Sequence, residues 1–98
     1  MARVWTHGTW VAKPGREDAF VQAWSKLARD AMAEFPGEPP TLLRDREEPN
    51  VFKTFGAWPD VEAIDEFRAS DTFQIAVAEL QPHLESFEPM TLDEVEWR

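Results

Sequence analysis

Apolar residues recur every three or four positions at Phe20, Ala23, Trp24, Leu27, Ala31 and Phe35, while Gln22, Ser25, Lys26, Arg29, Asp30 and Glu34 fill the gaps. That spacing predicts an amphipathic helix of about five turns. Gly15 is read as its weak N-cap with Glu17 and Asp18 in the first turn, and Pro36-Gly37 as its stop. Ahead of it, Arg3 to Ala12 (RVWTHGTWVA) is rich in valine, threonine and tryptophan and has no helical stripe, which predicts a strand. Its two faces are Val4, Thr6, Gly8, Trp10, Ala12 and Arg3, Trp5, His7, Thr9, Val11. Both are partly apolar, so both are expected to be covered.

Pro39 to Arg46 predicts a short strand centred on Thr41, Leu42 and Leu43, joined through Glu47-Glu48-Pro49-Asn50 to an antiparallel strand at Val51–Trp58. Gly56 is read as a bulge or as a point of close approach to the backbone. Asp60 is expected to cap a helix carrying Ala63, Ile64 and Phe67. Ser70 is expected to cap a second segment whose stripe is Phe73, Ala76, Val77, Leu80 and Leu84, with a break near Ala69. Pro82 predicts weakening of the helix around Ala78 to Gln81. A last strand is expected within Pro89 to Trp97, anchored by Met90, Leu92, Val95 and Trp97, with a bend between Leu92 and Val95 where their parity switches.

The order β-α-β-β-α-β predicts an α+β domain, a four-stranded antiparallel sheet with its helices on one face. That leaves the other face bare, with Trp5 or Trp10 and Phe52 or Phe55 exposed on it. A homodimer stacking or merging two sheets would cover it.

Composition sharpens this picture. One domain is expected over residues 1–98, small enough that burial is incomplete. Five tryptophans and seven phenylalanines exceed what so small a core needs, which points to a pocket or an interface. The net charge of −9 is uneven: residues 47–98 hold thirteen acidic residues against three basic ones. Such a surface argues against nucleic acid or a membrane as partner. No cysteine, no long apolar run and no export-like N-terminus point to a cytoplasmic protein. His7 and His83 are too scattered for a metal motif, so no metal is expected, and no phosphate loop, dinucleotide fingerprint or nucleophile elbow is present.

The run W-P-x-x-E-A-I-D-E-F-x-x-S-x-x-F from Trp58 to Phe73 resembles the antibiotic biosynthesis monooxygenase family, as do Pro14-Gly15-x-x-x-x-Phe20 and Leu43-Arg44-Asp45. The resemblance implies a ferredoxin-like subunit forming a dimeric α+β barrel. It also implies oxidation of an aromatic phenol, quinol or polyketide-like ring by molecular oxygen, with no flavin, haem or metal cofactor. Haem-degrading members use an asparagine, a tryptophan and a histidine that fall near Gly8, on Phe67 and on Val77, so that chemistry is not expected here.

Cofactor-free oxygenation needs a deprotonated ring and a cation or donor for the developing charge. His7, mid-strand, is the base candidate, because imidazole titrates near neutral pH. Its alternative reading is a hydrogen-bonded histidine at the interface or under a helix. Arg68 is the candidate partner for a substrate anion. Trp10, Trp24, Trp58, Phe67 and Phe73 are the expected ring-binding side chains, unless they only fill core. Arg44 with Asp45 reads as a surface pair. Two other functions fit this pattern: a non-catalytic small-molecule binding or accessory protein, and an isomerase or cyclase of a similar ring.

Overall fold

The computed structural model describes residues 3–98. In order they form β1 (Val4–Ala12), α1 (Glu17–Glu34), β2 (Thr41–Arg44), β3 (Val51–Trp58), α2 (Val61–Ala69), α3 (Asp71–Leu80), a 3-10 turn at Gln81–His83, and β4 (Leu84–Asp93). The sheet runs β2-β3-β1-β4 with every neighbouring pair antiparallel. This is the expected ferredoxin-like α+β arrangement, its second helical stretch divided in two.

Local chemistry explains the punctuation. Lys13 to Arg16 closes a turn in which the Arg16 N–H donates to the Lys13 carbonyl at 2.9 Å. Pro14 and Gly15 are its middle residues, and Gly15 has φ +82°, the conformation a type II turn demands at its third position. Gly15 therefore makes the turn and does not cap α1, which starts after Arg16 without a side-chain cap. The Asp60 carboxylate accepts from the Ala63 N–H at 2.8 Å and caps α2 as expected. Ser70 ends one helix and starts the next: its hydroxyl donates to the Phe67 carbonyl at 2.6 Å and accepts from the Phe73 N–H at 3.2 Å.

Several sequence expectations change. The helix holds through Leu80, because Pro82 falls in the first positions of the 3-10 turn, where its missing N–H breaks no bond. The last strand starts earlier than expected, at Leu84, which leaves the helical stripe and opens β4. Pairing with β1 consumes Leu84 to Asp93, so Val95 and Trp97 have no strand to join and stand 78% and 91% exposed. The irregularity lies at the other end of that pairing, between Val11 and Ala12. Strand β2 is shorter than Pro39 to Arg46. Gly56 pairs with Thr6 in an unbroken register, so it is no bulge; a Cβ there would lie 3.1 Å from Thr6 Oγ1, which is the close approach. Asp45 does not pair with Arg44: its carboxylate accepts the Glu47 and Glu48 N–H groups, while Arg44 lies over the Phe52 ring at 4.8 Å.

The core lies between the helices and one sheet face. Trp10, Ala12 and Phe52 meet Phe20, Trp24, Leu27, Phe67, Ala76 and Leu80 there, with Phe20, Phe52 and Leu80 almost wholly buried. Burying each such side chain contributes about 1.5–3 kcal/mol.

Candidate functional site

The helices do not close over the sheet completely. Between α1, α2, α3 and strands β1, β3 and β4 lies a cavity of about 370 Å³, within the range of small-molecule sites. Strand alternation sends Thr6, Gly8 and Trp10 from β1, and Thr54, Gly56 and Trp58 from β3, toward the helices to form its floor. Helix α1 supplies Trp24, Leu27 and its C-cap residue Phe35, and the α2–α3 junction supplies Phe67, Arg68 and Phe73.

Rings dominate the walls. Trp10 stacks on Phe87, its direct neighbour on β4, with centroids 3.7 Å apart. Phe67 is the hub of a second group, touching Trp58 at 5.1 Å, Phe73 at 5.0 Å and Phe35 at 5.4 Å. The two indole N–H groups of the sheet floor are already engaged: Trp10 donates to Thr54 Oγ1 at 3.0 Å and Trp58 to Thr6 Oγ1 at 3.2 Å. Arg68 and Glu38 are the arginine and carboxylate of the lining. Glu38 is paired with Arg3, whereas Arg68 makes no ion pair among the described residues.

The cavity thus gathers Trp10, Trp24, Trp58, Phe67, Phe73 and Arg68, which the sequence had scattered over sixty-four positions. His7 differs. Its strand forms part of the wall, but its ring stacks on Phe55, the residue paired with it on β3, at 4.5 Å. Alternation places both rings on the face away from the helices, and His7 Nδ1 lies 3.1 Å from the Thr54 carbonyl.

Sequence reasoning missed Thr6, Thr54, Phe35 and Phe87 as lining residues. The parity of Thr6 with Trp10, and of Thr54 with Trp58, was a usable signal for the two threonines. Phe87 had none, because β4 was placed too late in the chain. Among the described residues no group of three or more His, Cys, Asp or Glu side chains forms a metal cluster.

The two carboxyls with displaced acidity lie outside the cavity. Asp45 is held below its ordinary value by the Glu48 and Glu47 N–H groups. Glu94 is lowered first by the Trp5 indole N–H, which donates to it at 2.7 Å, and further by Arg3.

A ferredoxin-like domain with a partly open, ring-lined cavity defines the class: a small α+β fold with a four-stranded antiparallel sheet covered by helices on one face. Within it, residues 4–79 match the antibiotic biosynthesis monooxygenase family, and the chain belongs to that family. Solved structures agree on the fold. A Caulobacter crescentus protein provisionally named an antibiotic biosynthesis monooxygenase superposes with a TM-score of 0.88 at 24% identity, over 97% of this chain and 92% of its own. A Shewanella oneidensis protein gives 0.84 at 24% identity, over 95% and 91%. A structure described as an antibiotic biosynthesis monooxygenase gives 0.80 at 19% identity, over 97% and 99%. No curated protein matches the chain significantly.

Proposed function

We propose that the protein is a cofactor-independent monooxygenase acting on a flat aromatic phenol, quinol or polyketide-like ring. The observation that carries this reading is the cavity itself, walled by aromatic rings and holding one unpaired guanidinium, Arg68. Rings of this kind stack well on indole and phenyl surfaces. A phenolate or enolate then meets Arg68, which also favours the negative charge developing as the ring passes an electron to oxygen. For a ring methylene the balance is simple: oxygen is reduced, one of its atoms becomes the ketone, and the other leaves with both hydrogens as water.

His7 takes no proton from the ring in this reading, because its imidazole faces Phe55 on the opposite side of the sheet. Aerobic and anaerobic incubation with hydroquinones and anthrones, with oxygen uptake and product mass as readouts, tests the proposal. Oxygen-dependent oxidised product is expected, with Arg68→Gln at least about tenfold slower from loss of one charge-assisted contact and His7→Ala nearly unchanged. Binding without turnover would leave a binding protein, and a product of unchanged mass an isomerase or cyclase.

We also propose that a second copy of the chain covers the free sheet face, forming the homodimer, and that the protein works in the cytoplasm. Leu43, Met90 and Leu92 are 49%, 52% and 39% exposed and share that face with Trp5 and Phe55. Sedimentation at micromolar concentration should give a dimer, and Phe55→Glu a monomer; a wild-type monomer would overturn this part.

A further inference from the structure

Thr54 is the one polar residue buried in the core of the described chain, and it lines the cavity. An indole N–H can only donate, so the 3.0 Å bond from Trp10 makes Thr54 Oγ1 the acceptor. That oxygen still carries its own proton, and no acceptor among the described residues takes it. A buried hydroxyl proton without an acceptor is costly, and a ligand oxygen is the natural partner. Gly8 lets this pair pack close against its backbone. A Cβ at position 8 would sit 2.7 Å from Trp10 Nε1 and 2.9 Å from Thr54 Oγ1, so any side chain there would crowd the hydroxyl.

We propose that the Thr54 hydroxyl, held by Trp10 and packed beside Gly8 on the cavity floor, is the directing donor of the cavity. Its ligands are fused aromatic rings bearing a carbonyl or phenolate oxygen on the edge that enters first. The inference rests on the ring-binding reading above and deepens it. It orients the ring by one oxygen at the floor and leaves Arg68, half-buried on α2, for the remaining negative charge.

The test compares anthrone with 9,10-dihydroanthracene, a probe of similar shape without the oxygen, by quenching of tryptophan fluorescence. Anthrone is expected to bind the wild type about tenfold more tightly, the worth of one buried hydrogen bond. Thr54→Val should abolish that preference, Thr54→Ser should keep it, and Trp10→Phe, which retains the hydroxyl, should keep it within about threefold. Thr54→Ala removes the same hydroxyl and decides the matter if the valine variant does not fold; a preference kept in it would overturn the proposal. Equal binding of the two probes to wild type would overturn the directing donor and leave the ring pocket standing. Loss of preference in Trp10→Phe but not in Thr54→Val would transfer the role to the indole N–H and overturn the proposal. Failure of both probes to bind would overturn the ring-binding reading and this inference together.

Discussion

The two faces of the sheet are built from the same kinds of residue and are solved differently. The helix-covered face carries Trp10, Phe52 and Trp58, and the open face carries Trp5, Phe55, Met90 and Leu92. On the covered face each indole N–H finds a threonine, and Phe52 is 2% exposed. On the open face Trp5 finds only the side-chain ends of Glu94 and Arg3, both at the surface. The difference lies in what packs on each face: three helices cover one and leave a cavity of about 370 Å³ beneath them, whereas no helix of the described residues lies over the other.

The largest expected contrast is in stability. Phe20→Ala, a fully buried ring, should cost about 3–5 kcal/mol, and Phe55→Ala clearly less, about 1–2 kcal/mol in the monomeric state, where the ring is only partly buried. Urea midpoints of the two variants, measured at a concentration where the chain is monomeric, separate the two faces. Equal losses would mean that the faces are not distinct in the single chain.

Next comes Gly8→Ala. Its methyl group must displace Trp10 or Thr54, and overpacking of this kind costs about 1–3 kcal/mol. Tryptophan emission should shift as the Trp10 environment changes, and an unaltered spectrum and midpoint would contradict the close approach.

The smallest effect is electrostatic and lies off the covered face. Asp45 and Glu94 both have pKa values lowered in the folded state from their ordinary values of 3.8 and 4.5. The folded state therefore binds fewer protons than the unfolded chain, and stability rises with pH across that range. Their contribution is fully present above those ordinary values and is lost as pH falls through the lowered ones. Asp45→Asn should flatten the acid limb of a pH series of urea midpoints and leave the neutral region almost unmoved. A slope that survives in both Asp45→Asn and Glu94→Gln would assign it to other groups.

Much of the architecture could be read along the chain, because its signals are local. The stripe from Phe20 to Phe35, the caps at Asp60 and Ser70, and the turn at Pro14-Gly15 involve residues within four positions of each other, where backbone sterics and short-range hydrogen bonds act. Strand β4 could not be placed this way. Leu84 fits a helical stripe by spacing, and it became a strand residue only because β1 had an unpaired edge to fill.

The candidate site divides in the same manner. The tryptophans, Phe67, Phe73 and Arg68 were identifiable by residue type, and a surplus of aromatic side chains already implied a surface for rings. That Thr54 would meet Trp10 across forty-four positions, that Gly8 would let the pair pack against its backbone, and that His7 would turn its back on the cavity were decided by strand register. Alternation along a strand assigns each side chain to one of two faces, but the identity of the covered face is settled only when helices distant in the chain pack against it. Periodicity is a property of neighbours, and a cavity is a property of what fails to touch.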